Sequence, residues 1–126
     1  MGNINTQALE RYGLSSFDSA WGEVVRGIEK ECLRVAADCS LSKKPHPEAL
    51  GSPLTNPFIT TDFSEALLEF ITPVYSNIDE CLEMLDLIHC FSAQNIEQNE
   101  TLWSTSMPCP LGLSSEIPIA NYGNSN

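Results

Sequence analysis

Two glutamates stand two positions apart in the segment GIEKECLRV at positions 27–35, and their spacing could support chemistry. A single residue separates Glu29 from Glu31. In a β-strand, side chains two positions apart point to the same face, with Cα atoms roughly 6.6–6.8 Å apart. The pair could therefore share a hard cation such as Mg²⁺, which takes oxygen ligands. A solvated acidic strand face explains the same spacing, and the residues alone leave both interpretations open.

Two further carboxylates could complete such a site. Asp62 and Glu69 lie in the segment ITTDFSEALLEFITPV at 59–74, and they would add oxygen donors if this segment crossed beside the first. Four clustered carboxylates repel one another, so one or more would bind a proton near neutral pH without compensating dications. The two histidines and five cysteines have no spacing that requires a metal.

The segment that carries the first pair alternates in a way that predicts a β-strand over residues 26–35. Glu29 and Glu31 fall on one face of this strand, and Lys30 and Cys32 fall on the other. The two carboxylates are thus expected to point away from the lysine between them.

The segment 59–74 shows two competing periodicities. Apolar residues at i, i+3, i+4 and i+7 favour a helix with Asp62, Glu65 and Glu69 on its solvated outer face. The β-type residues of 67–72, and the proline that follows them, favour a strand instead. The pattern alone favours the helix.

The clearest helix is predicted over residues 78–97. Asn77 is a suitable N-cap, and Glu80 follows three residues later in the capping-box position. The predicted apolar stripe comprises Ile78, Cys81, Leu82, Leu85, Ile88 and Phe91. His89 lies near this stripe, where a hydrogen-bonded structural role is favoured over a catalytic one.

Shorter elements complete the prediction. Residues 5–12 are compatible with a short helix, and residues 37–57 and 106–113 are rich in turn residues and are predicted to be loops. Residues 116–123 are predicted to form a short extended segment.

Charge narrows the classes of partner. The net charge is −11, and all six basic residues lie within the first 44 positions, together with six acidic ones. Residues 45–126 carry eleven acidic residues and neither Lys nor Arg. Such a chain would repel nucleic acids and anionic membranes. It suits cations, basic partners or a larger structure whose positive part lies elsewhere.

Length, hydropathy and cysteine content indicate one small cytoplasmic domain. The chain has 126 residues, and no apolar run approaches the ~20 residues that a membrane helix needs. The first residues do not resemble a secretory signal. The five cysteines are odd in number and include no CxxC pair, which favours reduced thiols over a disulfide framework or a zinc ribbon.

Several stretches together resemble the N-terminal portion of the proteobacterial glutamate–cysteine ligase family. They are GIEKECLRV, HPEALGSPLTNPFITTDFSEALLEFITPV, LW followed by SMPC, and IANYGNSN. The resemblance runs in order over residues 26–126, whereas residues 1–25 contribute little. Its most specific part is the segment 46–74. Cys32 departs from the family pattern, in which Thr is frequent at this position.

The resemblance implies an α+β fold similar to that of glutamine synthetase. In this fold an antiparallel sheet curves into a funnel with helices outside it. Residues 67–72 would form a strand of the sheet, which reverses the preference for a helix. Residues 1–126 would be an incomplete, N-terminal part of the catalytic domain.

The resemblance also implies an activity and a site. The family joins the γ-carboxylate of L-glutamate to L-cysteine through a γ-glutamyl phosphate, with ATP as co-substrate, in the first step of glutathione biosynthesis. Mg²⁺ would be held by Glu29, Glu31, Asp62 and Glu69. Phe63 would line the cysteine pocket, and no residue of this chain would act as a catalytic acid or base.

Two hypotheses from different classes follow. In the first, the chain is part of such a ligase, needs the C-terminal portion of the enzyme and is inactive alone. In the second, it is an independent acidic module that binds divalent cations or a basic partner without catalysis.

Overall fold

A computed structural model describes residues 24–122, which form a four-stranded antiparallel sheet with one long helix. The elements are β1 (Glu29–Ala36), β2 (Ile59–Thr61), β3 (Leu67–Ile71), α1 (Ile78–Asn95) and β4 (Glu100–Leu102). The strand order is β2-β3-β1-β4, so β1 and β3 are central. The expected α+β class with an antiparallel sheet is confirmed. The helix considered for residues 5–12 lies outside the described residues.

Strand β1 confirms the alternation predicted for residues 26–35. Along this strand Glu29 and Glu31 are exposed, whereas Cys32 and Arg34 are buried. The first part of β1 pairs with β3, and its last three residues pair with β4. Because β1 has a neighbour on both sides, its register determines which side chains of the whole sheet share a face.

The helical interpretation of residues 59–74 is wrong, and the strand implied by the family resemblance is confirmed. The segment forms β2 and β3, which are joined by a turn over 62–66 and paired antiparallel to each other. In β3, burial alternates with a period of two, and Leu68 and Phe70 are fully buried. The apparent helical spacing arises because the turn inserts residues between two strands. Phe63, which the helical stripe would bury, is 70% exposed.

Helix α1 begins where the sequence predicts and ends two residues earlier, at Asn95. The Asn77 side chain accepts a hydrogen bond of 2.8 Å from the backbone N–H of Asp79, which caps the first turn. The buried face is narrower than the predicted stripe, since Ile78, Leu82 and Phe91 are 41–49% exposed. The residues that α1 places in or against the core are Cys81, Met84, Leu85, Ile88 and Ser92.

The main core lies between α1 and one face of the sheet. Its buried members are Cys32, Leu50, Ile59, Leu68, Phe70 and Ile88. Leu50 comes from a 3₁₀ turn at Glu48–Leu50, within the predicted loop, and closes the side of this core. The opposite sheet face at the level of β3 therefore remains available for polar side chains.

A buried arginine connects the sheet to the loop that follows β1. Arg34 is fully buried, and its guanidinium lies 2.7 Å from the Glu100 carboxylate of β4. The same guanidinium donates to the backbone carbonyls of Lys44, Pro45 and Glu65 at 2.8–2.9 Å. Pattern alone did not distinguish this arginine from a surface residue of the strand.

Among residues 24–122, no helix combines the length and the apolar character needed to cross a membrane.

We expect Arg34→Met to lower the free energy of unfolding by about 3–5 kcal/mol, because it leaves the buried Glu100 carboxylate without its charge partner. The matched control is Lys43→Met, which removes the exposed Lys43–Glu116 pair, whose side chains are 65% and 47% exposed. That control should change the free energy by less than about 0.5 kcal/mol. Urea denaturation measures both values, and equal effects of the two variants would contradict the structural role of Arg34.

Candidate active site

The four carboxylates suggested by the sequence are carried by the two central strands and the turn between β2 and β3. Glu31 lies directly opposite Glu69 in the β1–β3 register. Glu29 is two residues from Glu31 on the same strand face, and Asp62 begins the turn after β2. Glu29, Glu31 and Asp62 are exposed, and Glu69 is half-buried. The antiparallel pairing thus brings acids from separate parts of the chain to one face of the sheet, which we name the carboxylate face.

The electrostatics of Glu69 reflect the proximity of the other three acids. The pKa of Glu69 is raised above its ordinary value, first because burial desolvates the carboxylate. The negative charges of Glu29, Asp62 and Glu31 raise the pKa further, in that order. The charge of each of the other three carboxylates therefore contributes to the raised pKa of Glu69.

Cations do not neutralise this face within the described part of the chain. The ion pairs of residues 24–122 are Arg34–Glu100, Lys43–Glu116 and Lys44–Glu97. Lys30 stands between the first two acids in sequence, but its ammonium lies 3.1 Å from the Cys32 sulfur and 5.8 Å from the centre of the Phe70 ring. The strand alternation directs it to the core side, away from the carboxylates.

The side chains do not by themselves surround a point at which a metal could bind. Among residues 24–122, no three His, Cys, Asp or Glu side chains form a group that could hold a metal ion as they stand. The chemistry of the donors nevertheless fits a hard dication, because the face offers carboxylate oxygens that pair with no lysine or arginine among residues 24–122. The four residues share a face without forming a closed ligand cage.

The turn next to these acids holds an exposed aromatic side chain in an unusual backbone conformation. Phe63 directly follows Asp62 and has a φ of +50°, in the left-handed region that residues with a Cβ seldom adopt. Its ring is 70% exposed, and its backbone carbonyl accepts a 3.0 Å hydrogen bond from Ala120. Such conformations are retained where surrounding contacts fix them, frequently at functional sites.

A cavity of about 310 Å³ lies beside the carboxylate face. Its lining residues are Glu31, Leu33, Leu67, Trp103, Thr105, Ser106, Met107 and Pro108. The backbone N–H of Trp103 donates to the carbonyl of Leu33 at 2.8 Å, and its indole N–H donates to the carbonyl of Met107 at 2.6 Å. The first bond joins the start of the loop after β4 to β1, and the second lies within that loop. Sequence reasoning did not find this cavity, although the LW and SMPC residues that line it belong to the stretches that carried the family resemblance.

A larger cavity of about 460 Å³ lies at the end of α1 and includes His46 and Lys44 in its lining, but none of the four acids. It is therefore separate from the carboxylate face.

His89 lies on the opposite side of the sheet and packs as a structural residue. Its Nε2 atom is 3.8 Å from the Cys32 sulfur, and its ring meets the Phe70 ring edge-on at 5.5 Å between centroids. Desolvation lowers the pKa of His89, and the nearby Lys30 charge lowers it further. These contacts favour the structural role expected from sequence. All five cysteines are free thiols.

Comparisons with known proteins agree with this architecture. The family model described as glutamate-cysteine ligase matches residues 12–126. Glutamate–cysteine ligase from Azotobacter vinelandii is 48% identical over 126 residues, which is 100% of this chain and 24% of that protein. The ligase from Pseudomonas paraeruginosa is 55% identical over 125 residues, 99% of this chain and 24% of the relative. The chain thus spans about a quarter of the length of these two curated relatives.

Two solved structures share the fold. Glutamate–cysteine ligase from Francisella tularensis, crystallised in complex with AMP, has a TM-score of 0.76 and 40% identity, covering 80% of this chain and 20% of that one. A bifunctional glutathione synthetase from Pasteurella multocida has a TM-score of 0.78 and 29% identity, covering 89% of this chain and 15% of that one.

The match of the family model includes both central strands, the turn between β2 and β3 and the loop after β4. Every residue of the carboxylate face and of the adjoining cavity therefore lies within the matched range. The chain belongs to the glutamate–cysteine ligase family.

Proposed function

We propose that this chain is part of an ATP-dependent ligase that joins the γ-carboxylate of L-glutamate to the amine of L-cysteine through a γ-glutamyl phosphate. The product is γ-glutamylcysteine, the first intermediate of glutathione biosynthesis. The observation that carries the proposal is the gathering of Glu29, Glu31, Asp62 and Glu69 on one sheet face in a chain of this family. No charge partner from the described residues competes for that face.

In this proposal the four carboxylates are the ligands of Mg²⁺. When bound, the metal neutralises charge that builds on phosphate oxygens during phosphoryl transfer. The chain's own contribution is to hold oxygen donors on rigid central strands, where the β1–β3 register fixes Glu31 opposite Glu69. None of these residues has to move a proton, so we assign no catalytic acid or base to this chain.

The amino-acid substrates would meet the apolar elements beside the acids. Phe63 presents an exposed ring next to Asp62, and this ring suits the small thiol side chain of cysteine. The cavity between β1 and the loop after β4 is of a size that can hold a small molecule and includes Glu31 in its wall. A substrate there would lie directly beside the proposed metal ligands.

The distribution of charge indicates that the basic side chains that would contact phosphate lie outside residues 45–126. Residues 45–126 contain no Lys or Arg, and the chain spans 24% of the Azotobacter vinelandii ligase. We therefore propose that the positive groups that contact phosphate belong to the part of the family's longer proteins that this chain does not span.

The 126-residue chain alone should release no ADP in a manner that depends on both glutamate and cysteine.

The carboxylate assignment is tested in a chimera in which this chain replaces the matching part of the Azotobacter vinelandii ligase. We expect Glu31→Gln and Glu69→Gln each to lower the turnover number by about 100-fold or more, because each removes a charged oxygen ligand from the metal site. ADP release that requires both amino acids measures the rate. The matched control is Glu83→Gln on the exposed side of α1, which makes the same charge change outside the site and should keep full turnover. Unchanged turnover in both site variants would refute the assignment.

The raised pKa of Glu69 predicts how stability depends on pH when EDTA is present. The folded chain binds this proton more tightly than the unfolded chain, for which the ordinary pKa is 4.5. The resulting loss of stability is absent below that value and grows as the pH rises through the raised pKa. Glu69→Gln should therefore leave the melting temperature nearly unchanged at about pH 4 and raise it at about pH 7.

Thermal melting monitored by circular dichroism at the two pH values measures this effect. Addition of Mg²⁺ at the higher pH should stabilise the parent chain more than the variant, because the variant lacks one ligand. A variant that is equally destabilised at both pH values would contradict the electrostatic coupling of the four acids.

The role proposed for Phe63 is tested separately in the chimera. Phe63→Ala should raise the KM for cysteine by about tenfold while changing the free energy of unfolding by less than about 0.5 kcal/mol, because the exposed ring contributes little to the core. The KM for ATP is the internal control and should stay unchanged. An equal rise in both KM values would show that the substitution disturbs the site generally and would count against a cysteine-specific contact.

A further inference from the structure

Glu65 is a buried carboxylate in the turn that carries Asp62 and Phe63. The helical interpretation of this segment would have placed Glu65 in solvent, but Glu65 is only 8% exposed. One carboxylate oxygen accepts a 2.6 Å hydrogen bond from the backbone N–H of His46, and the other accepts from the backbone N–H of Asn121. A single side chain thus joins three separate segments of the chain.

One of these segments lies across the turn, and we name residues 117–122 the C-terminal strap. The carbonyl of Pro118 accepts from the backbone N–H of Glu65 at 3.0 Å and from the hydroxyl of Ser64 at 2.7 Å. An isolated antiparallel β-bridge between Ser64 and Ile119 continues this contact. The strap therefore runs antiparallel to the turn, with Pro118 and Ile119 against Ser64 and Glu65. Of the extended segment predicted over residues 116–123, Glu116 instead ends a 3₁₀ turn at Ser114–Glu116, and residue 123 lies outside the described residues.

The same strap holds the residues on either side of Asp62. The backbone N–H of Ala120 donates to the carbonyl of Phe63 at 3.0 Å, and the hydroxyl of Tyr122 donates to the carbonyl of Thr61 at 2.7 Å. Packing of the Phe63 ring cannot hold its left-handed backbone in place, because the ring is mostly exposed. The conformation of the turn must therefore be maintained by hydrogen bonds to its backbone.

We propose that Glu65 is a positioning residue, whose carboxylate ties the C-terminal strap to the loop at His46 and thereby fixes Asp62 and Phe63. The significance of this role for ligation rests on the proposed function, whereas the structural link does not. Arg34 holds the backbone of the same residue by donating to its carbonyl at 2.9 Å. The backbone of Glu65 is thus anchored to the sheet, and its side chain extends from this anchor to both neighbouring segments.

Amide hydrogen exchange on the 126-residue chain tests the structural link. In Glu65→Gln the amide can offer only one oxygen acceptor, so one of the two backbone N–H groups loses its partner. Exchange of the Ala120 and Asp62 amides should become about tenfold faster, because the bonds they make to Phe63 and Leu67 depend on the fixed turn. Amides within α1 should keep their rates, and the matched control Glu48→Gln, an exposed acid near His46, should change neither set.

Kinetics of the chimera test the consequence for the site, at a temperature well below the melting transition of every variant. Glu65→Gln should raise the KM for cysteine and the Mg²⁺ concentration for half-maximal rate by about tenfold, because small displacements of positioned groups are costly. Tyr122→Phe removes a different strap contact and should shift both values in the same direction by a smaller factor. Glu48→Gln should leave both values unchanged.

Two results would overturn the proposal. Unchanged exchange at Ala120 and Asp62 in Glu65→Gln would show that the carboxylate does not fix the turn. Faster exchange with unchanged KM and unchanged Mg²⁺ dependence would show that Glu65 stabilises the fold without positioning the site. If the proposed function itself is wrong, the turnover of Glu31→Gln and Glu69→Gln in the chimera will be unchanged.

Discussion

The direct opposition of two carboxylates across the central strands is the constraint on which the rest of this site depends. Glu31 and Glu69 are cross-strand partners, and like charges in this position destabilise an antiparallel pair. The register persists because the other face of the same strands forms the core, where Cys32, Leu68 and Phe70 are buried. A slip of one residue would move these side chains into solvent, so burial of the core forces the acids together.

The alternation of the strand also prevents local neutralisation of the acids. Lys30 lies between Glu29 and Glu31 in sequence, but the pleat directs its ammonium to the Cys32 sulfur and the Phe70 ring. The buried Arg34 is on the same side and is occupied by Glu100 and by backbone carbonyls. Within residues 24–122, the sheet therefore places Lys30 and Arg34 on one face and the carboxylates of Glu29, Glu31 and Glu69 on the other.

Sequence reasoning succeeded where one strong local pattern decided the structure. The alternation around Glu29 predicts β1, and the Asn77 cap with its apolar repeat predicts α1, because both signals are local. It failed for 59–74, where two short strands and a turn imitate a helical repeat, and the family resemblance was needed to identify β3. The burial of Glu65 and Arg34 was not predictable from pattern, since their partners lie far away in the chain.

The charge of the carboxylate face sets a requirement on any phosphate chemistry carried out there. Four ionised carboxylates contribute four negative charges, and the described residues pair none of them with Lys or Arg. A single dication would leave such a face negative, and it would still repel the phosphates of ATP. Under the proposed function, phosphate binding therefore needs either a second dication or positive groups from a part of the protein that this chain does not span. The absence of Lys and Arg after Lys44 makes this requirement a property of the sequence as well as of the fold.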